Sequence, residues 1–153
     1  MTEFLPAVIP QASSLDRARF EAQVTREMSR YIGETHCTAI QGKQYVTVAG
    51  ASALAAGCGY SVREVGVERT EVAGVGGWVA TAEIIDRATG QVVGRGSGIV
   101  LDDEPMWKSR PQFARRAMAS TRAAGRALRL CVGHLFAMLG AQTVTAEEMP
   151  HDS

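Results

Sequence analysis

Four arginines recur at helical spacing in the C-terminal third of the chain. They stand at i, i+7, i+11 and i+14: Arg115, Arg122, Arg126 and Arg129. Because an α-helix turns by about 100° per residue, this spacing gathers the four guanidinium groups on one helix face. Further bases lie beside them at Lys108, Arg110 and Arg116, and the segment between Glu104 and Glu147 contains no acid. Such a stripe repels itself and is stabilised when phosphates neutralise it, which predicts a nucleic-acid partner.

Aromatic side chains near the arginine stripe would add a stacking platform for bases. Trp107 lies near the start of the predicted helix, and Tyr45 or Tyr60 would supply a second ring. The alternative is that the arginines pair with acids of the same chain, on the strands predicted before the helix. The acids considered for this are Glu64, Glu68, Glu71 and Glu83. The absence of acids on the helix itself favours nucleic acid.

No residue pattern typical of an enzyme occurs in the chain. The sequence contains no phosphate-binding loop, no dinucleotide fingerprint and no zinc-protease or serine-hydrolase motif. Asp102, Asp103 and Glu104 form an acidic cluster, but adjacent acids on an extended chain point in opposite directions and make a poor metal site. We expect them to interact with the positive end of the following helix. The sequence therefore predicts no catalytic residue, no metal and no cofactor, with metal-dependent catalysis by residues 102–104 as a minor alternative.

The elements that position the arginine stripe follow from hydrophobic periodicity and turn residues. An apolar stripe predicts a long helix from Arg110 to Gly140 with one side facing the core: Phe113, Ala117, Thr121, Ala124, Leu128, Val132, Leu135 and Leu139. Upstream, the pattern predicts a helix over 13–33, a hairpin over 39–48, a short helix over 50–56 and strands over 61–72, 77–86 and 91–101. This order predicts an α+β fold in which a three-stranded antiparallel meander packs on the long helix.

The third predicted strand of the meander carries glycine at every second position. Gly94, Gly96 and Gly98 leave one strand face without side chains, and glycine weakens a strand interior unless another backbone approaches closely. The long helix is the expected neighbour, through its small residues Ala117, Ala124 and Gly125. The alternative is a mobile hairpin arm.

Length and composition predict one domain between two short end segments. We expect an irregular N-terminal arm at 1–12, a single α+β domain at 13–144 and an acidic C-terminal tail at 145–153. The formal net charge of zero conceals the basic segment 105–146. The three cysteines are widely spaced and odd in number, no apolar run is long enough to span a membrane, and the N-terminus does not resemble a signal peptide. A cytoplasmic protein with reduced thiols is therefore the expectation.

The predicted long helix contains a segment that resembles a known family. From Ala119 to Arg129 the sequence is similar to the signature helix of single-strand DNA annealing proteins. This superfamily includes the phage Erf, Redβ and RecT types and the eukaryotic Rad-type annealing mediator. The matching positions, with Gly125 in place of a basic residue, are Thr121, Gly125, Arg126, Ala127, Leu128, Arg129 and Gly133. Segments 41–46, 103–107 and 145–150 also resemble small phage members, whereas Ala51 stands where a bulky aromatic residue is expected.

The resemblance implies a β-β-β-α core and assembly into a homo-oligomer, either a ring or a helical filament. It implies that single-stranded DNA lies in a basic groove, with phosphates on Arg126 and Arg129, and that annealing requires no ATP. The expected DNA-binding residues are Lys43, Tyr45, Trp107, Lys108, Arg110, Arg115, Arg116, Arg122, Arg126 and Arg129. A phage exonuclease or a single-strand-binding protein is the expected helper, and no membrane is expected as a partner. The alternative function is a nucleic-acid-binding or regulatory interaction module without recombination activity.

Overall fold

The computed structural model describes residues 14–149, and the elements within that range follow the predicted order. The α-helices are α1 (Ser14–Thr35), α2 (Val48–Gly57) and α3 (Gln112–Val132). The strands are β1 (Cys37–Ile40), β2 (Lys43–Val46), β3 (Tyr60–Val72), β4 (Val75–Asp86) and β5 (Val92–Leu101). The predicted α+β fold is confirmed, with β3, β4 and β5 in one antiparallel sheet and β1 and β2 in a separate hairpin. The arm predicted at 1–12 and residues 150–153 of the tail lie outside the described residues.

Two-residue turns connect β1 to β2 and β3 to β4. Gln41 and Gly42 have φ angles of 53° and 80°, and Ala73 and Gly74 have φ angles of 52° and 83°. Both central residues of each two-residue loop are therefore left-handed, a turn geometry that matches the right-handed twist of the strands it joins. In the larger sheet β4 lies in the centre, so β3 and β5 form its two edges.

The glycine face of β5 packs directly against the backbone of α3. A Cβ atom added to Gly98 would lie 2.3 Å from the backbone nitrogen of Ala123, and one added to Gly96 would lie 2.5 Å from that of Ala127. No real Cβ atom approaches another heavy atom so closely, so only glycine fits here. The predicted contact between strand and helix is confirmed. It is made through Ala123 and Ala127 and not through the predicted residues, since Ala117 is exposed and Gly125 faces Thr145 and Val48.

The side of α3 that faces the sheet differs from the predicted apolar stripe. Phe113 is 75% exposed, whereas Ala119, Ala123 and Ala127 are fully buried. The predicted helix face is therefore wrong in its N-terminal half, because the glycine face of β5 leaves room for alanine but not for larger side chains. In the C-terminal half Leu128 is buried as predicted.

The α-helix ends earlier than predicted. It stops at Val132, and Gly133–Leu139 continues as a 3-10 helix that ends at Gly140, which has a φ angle of 71°. Glycine in this left-handed conformation is the usual residue at a helix end. The 3-10 segment packs on α1 and buries Phe136 completely.

The core lies where α3 meets the sheet and α2. Its largest fully buried side chains include Phe136, Ile32, Leu54, Ile84 and Leu128. Ala51 of α2, where the resemblance implies an aromatic residue, is also fully buried. Within residues 14–149, no helix is long and apolar enough to cross a membrane.

Candidate nucleic-acid interface

Three of the four stripe arginines are held by acids of the same chain. The ion pairs are Arg115–Asp102 at 3.0 Å, Arg122–Glu104 at 3.0 Å and Arg129–Glu148 at 2.7 Å. Intramolecular pairing, the alternative drawn from the sequence, therefore describes these three arginines. The acids are not those considered, since Glu83 pairs instead with Arg63 and Arg95 of the neighbouring strands.

Arg122 is largely buried against the end of β5. Its side chain is 13% exposed, and its Nη1 donates to the carbonyl oxygen of Ile99 at 2.8 Å and to Oε2 of Glu104 at 3.1 Å. The same Oε2 accepts a hydrogen bond from the backbone nitrogen of Leu101 at 2.8 Å. Arg122, one of the expected DNA-binding residues, is therefore largely withdrawn from solvent, because the loop after β5 supplies a carboxylate that holds it against the strand.

The acids at 102–104 do not act on the N-terminus of the long helix. α3 begins at Gln112, well beyond these residues, and Pro111 precedes it without a side-chain cap. Asp102 instead bonds two arginines, Arg69 and Arg115, and Glu104 bonds Arg122. The prediction of a helix-end interaction is therefore wrong, and the two carboxylates serve as counter-ions for buried and half-buried guanidinium groups.

Arg126 is the exposed member of the stripe. It lines a groove of about 320 Å³ between β5 and α3, where Ser97, Gly98 and Arg122 also contribute. Within the described part of the chain, Arg126 has no ion pair, whereas Glu104 and Glu148 in the same groove are both paired with other arginines. The groove therefore carries one cationic group that its own acids leave unneutralised.

Four arginines and two tryptophans meet where α3 begins. This basic–aromatic cluster consists of Arg69, Trp78, Trp107, Arg110, Arg115 and Arg116. The Cζ atoms of Arg69 and Arg116 lie 5.1 and 5.8 Å from the ring centroid of Trp78. The Cζ atom of Arg110 lies 5.4 Å from that of Trp107. Arg115 joins the two halves, because it bonds Asp102 together with Arg69 and donates to the carbonyl oxygens of Trp107 and Arg110.

The charge of the basic–aromatic cluster is mostly unneutralised. Asp102 is the one carboxylate that contacts it in residues 14–149, and neither Arg110 nor Arg116 has an ion pair there. A hydrogen bond from Arg69, with the charges of Arg69 and Arg115, holds the pKa of Asp102 below its ordinary value. The indole nitrogens of Trp78 and Trp107 are buried and donate to no described group. Exposed guanidinium groups over aromatic rings suit an anion that carries planar bases, because they offer hydrogen bonds to phosphates and cationic faces to rings.

Three other predicted residues lie apart from the ion pairs described above. Lys108 and Lys43 are exposed, the first in the loop before α3 and the second on the β1–β2 hairpin. Tyr45 is 6% exposed and belongs to the core, so its predicted role as a stacking platform is wrong. Tyr60, the alternative ring, donates its hydroxyl proton to Glu21 at 2.9 Å. Burial, followed by this hydrogen bond, raises the pKa of Tyr60.

Sequence reasoning missed Arg69 and Trp78. The two residues are directly opposite each other in the register of β3 and β4, and cross-strand neighbours on one face contact each other. Arg69 and Trp78 are equally far from the turn at Ala73 and Gly74, so their contact could have been predicted from the sequence once that turn was located. Predicting that contact required the pairing register, which depends on that turn.

The described residues hold no cluster of metal ligands, and comparison with known proteins does not identify the function. In residues 14–149 no group of three or more His, Cys, Asp or Glu side chains is placed to hold a metal ion. Comparisons of the chain with protein-family models, with curated proteins and with solved structures found no match. The geometry and charge of the site are therefore the observations that bear on function.

Proposed function

We propose that this chain binds single-stranded DNA and promotes the annealing of complementary strands without ATP, as in phage-type homologous recombination. The observation that supports this most is the basic–aromatic cluster, in which four arginines face one carboxylate beside two tryptophan rings. The order of three antiparallel strands followed by a long helix agrees with the β-β-β-α core that the resemblance to annealing proteins implies.

In the proposed complex, phosphates bind at Arg110, Arg116 and the nearby Lys108. Binding releases the counterions that these groups and the DNA otherwise hold, which makes affinity strongly dependent on salt. Bases stack beside Trp78 and Trp107, where every base presents a π-face and no sequence preference is required. Neutralised phosphates repel a complementary strand less, so pairing proceeds without hydrolysis of a nucleotide.

The residues that bind phosphate in this proposal differ from those that the resemblance implies. Arg129 has Glu148 as its counter-ion, and Arg122 and Arg115 are paired as well, so none of the three offers a free charge to a phosphate. Arg110 and Arg116 do, because their guanidinium groups contact rings and not carboxylates. DNA would therefore follow the N-terminal end of α3 and not its full length.

Compartment and partners belong to the same proposal. Cys37, Cys58 and Cys131 are free thiols in the structure, which supports a reducing cytoplasmic location. Burial raises the pKa of Cys58 to about 12 and that of Cys131 to about 11, so both suit the core better than catalysis. Annealing proteins act as rings or filaments, so a homo-oligomer is part of the proposal, with an exonuclease or a single-strand-binding protein as helper.

A nucleic-acid-binding module that does not anneal is the second candidate. The observation that favours it is the short extent of the free charge, since the cluster occupies one end of α3. Further along the helix Arg122 and Arg129 are paired, and Arg126 is the one arginine of the stripe without an ion pair among the described residues. A short track holds few nucleotides per chain. Annealing then requires several copies side by side, whereas simple binding does not.

A binding experiment tests the proposed surface. We expect Arg110→Ala with Arg116→Ala to weaken the affinity for a fluorescent oligothymidine about tenfold or more and to reduce the salt slope by roughly 1.4, at about 0.7 per lost phosphate contact. Arg19→Ala with Arg26→Ala removes the same charge from the exposed side of α1 and should leave both quantities unchanged. Equal affinities of the two double variants would refute the surface.

An annealing experiment then separates the two candidate functions. Complementary oligonucleotides carrying a fluorophore and a quencher are mixed with the protein in the absence of ATP and metal ions. The proposal expects faster quenching than without protein, and expects the Arg110→Ala, Arg116→Ala variant to lose most of that acceleration. Binding of single strands without any acceleration would favour the non-annealing module.

A further inference from the structure

The three-stranded sheet has two edges that no other described strand covers. β3 forms one edge and β5 the other, and no other strand of residues 14–149 pairs with either. Both edge strands carry large exposed apolar residues: Val65 and Val72 on β3, and Val92 and Val93 on β5. Open edges with apolar side chains are the places where a strand of another chain adds to a sheet.

The backbone of β5 is open only in its N-terminal half. At the C-terminal end the backbone nitrogen of Leu101 donates to Glu104, and the carbonyl oxygen of Ile99 accepts from Arg122, so both groups point away from β4. Backbone direction alternates along a strand, so Ser97 also points its N–H and C=O groups away from β4. In the described residues nothing bonds these groups of Ser97, which lies at the groove that Arg126 lines.

The two edges of the sheet carry opposite unpaired charge. Arg126 lies beside the open part of β5 without an ion pair in the described chain. On β3 the exposed acids Glu64, Glu68 and Glu71 likewise have no ion pair among residues 14–149. Glu64 lies opposite Ala82, which in turn pairs with Gly96, so Glu64 is on the sheet face that α3 covers. Glu71 lies opposite Gly76 and is on this same face, whereas Glu68 lies opposite Val79 and is on the other face. Glu64 and Glu71 of one edge and Arg126 of the other are therefore on the same side of the sheet.

We infer that copies of this chain associate head to tail, with β3 of one copy pairing in parallel with the open half of β5 of the next, so that α3 of both copies lies on the same face of the joined sheet. Glu64 and Glu71 of the incoming strand then lie on the side of Arg126. Pairing β5 with a second β5 would instead bring two Arg126 side chains together, which charge repulsion opposes. Because each copy uses a different surface to bind the copy before it and the copy after it, further copies can keep adding. The assembly is a ring if the rotation between copies closes and a filament if it does not.

The strand pairing would supply the assembly that annealing requires, so its biological role rests on the proposed function. The pairing itself needs no DNA. Sizing is therefore done on the full chain without DNA. If the chain assembles but does not bind oligothymidine, the proposed function fails and the strand pairing is supported. If the chain binds oligothymidine but stays monomeric at every concentration, the strand pairing is refuted and the proposed DNA binding is supported.

The first test replaces Ser97. Ser97→Pro removes the outward N–H while leaving the β4 ladder intact, because proline is tolerated at edge positions whose N–H faces solvent. Ser97→Ala is the matched control, since it loses the same hydroxyl and keeps the N–H. By analytical ultracentrifugation, wild type and Ser97→Ala should form species larger than dimers, and Ser97→Pro should need about tenfold more protein to do so. Identical assembly of a folded Ser97→Pro variant would overturn the inference.

The second test exchanges charge and does not depend on Ser97→Pro folding. Arg126→Glu should weaken assembly, and adding Glu64→Arg with Glu71→Arg to the same chain should restore it. Restoration supports the pairing of β3 with β5, because the two changes lie on opposite edges of one chain. A closed dimer that forms equally well with and without the β3 substitutions would overturn the inference and indicate that two β5 edges pair with each other.

Discussion

Replacing Gly98 by alanine tests how closely α3 lies against β5. The added Cβ atom would be 2.3 Å from the backbone nitrogen of Ala123 and 2.6 Å from the carbonyl carbon of Arg122. Both atoms belong to the helix backbone, which cannot rotate away as a side chain can. Strand and helix must therefore separate by about 1 Å or more before the new atom reaches an ordinary contact distance.

The cost follows from the way packed interiors respond to extra atoms. Forcing a methyl group into a well-packed site costs about 1–3 kcal/mol. Alanine recovers part of this, because glycine in a strand is less favourable by roughly 0.5–1 kcal/mol. We expect a net loss of about 1–2 kcal/mol, which for a chain of this size lowers the melting temperature by roughly 2–8 °C.

Gly94 provides a matched control on the same strand face. A Cβ atom there would lie 3.6 Å from Cγ1 of Ile84, an ordinary contact, so Gly94→Ala should leave the melting temperature unchanged or raise it slightly. Gly96→Ala should behave like Gly98→Ala, because its Cβ would meet Ala127 at 2.5 Å. Thermal unfolding is followed by circular dichroism at one fixed protein concentration, since self-association makes the transition concentration-dependent. If Gly98→Ala and Gly94→Ala melted alike, the close packing of α3 on β5 would be refuted.

Three further predictions concern pH, a buried thiol and a helix cap. Arg69 and Arg115 lower the pKa of Asp102 in the folded chain, so its carboxylate stabilises the fold fully above about pH 4. This contribution is lost as the pH falls through the lowered pKa. In denaturant titrations, the free energy of unfolding of Asp102→Asn should therefore decrease less towards acid pH than that of wild type. Burial raises the pKa of Cys58 to about 12, so iodoacetamide at pH 8 should label it only after unfolding, and equal labelling rates in buffer and urea by mass spectrometry would contradict this. Thr47 accepts a hydrogen bond from the backbone nitrogen of Gly50 at 3.1 Å, so Thr47→Ala should cost about 1 kcal/mol in the free energy of unfolding and Thr47→Ser much less.

Local patterns in the sequence were sufficient for the elements and their order. The turn residues at 41–42 mark the first hairpin, and alternating apolar residues mark three strands whose bounds agree with the structure within two residues. The alternation of Gly94, Gly96 and Gly98 even predicts the strand–helix contact. These signals are local, because each depends on residues that are neighbours in the chain.

The face that α3 turns to the sheet could not be read from hydrophobicity. Arg115 is 9% exposed while Phe113, two residues earlier, lies in solvent. Arginine has a long apolar stem that packs well, and its head group needs only a carboxylate to be buried. That carboxylate, Asp102, stands outside the helix, so helical periodicity contains no information about the pair.

The partners of the arginines explain why a strongly basic segment belongs to a chain of zero net charge. Arg122 and Arg129 are neutralised by Glu104 and Glu148, which lie 18 and 19 residues away. Counting charges along the helix therefore overstates the field that a ligand meets. Among the arginines on α3 and just before it, those without an ion pair in residues 14–149 lie in two places: Arg110 and Arg116 at the tryptophans, and Arg126 in the groove beside β5. Because these places share no side chain, substitutions at the first should change DNA affinity without changing assembly, and substitutions at the second should change assembly while each chain keeps its DNA surface.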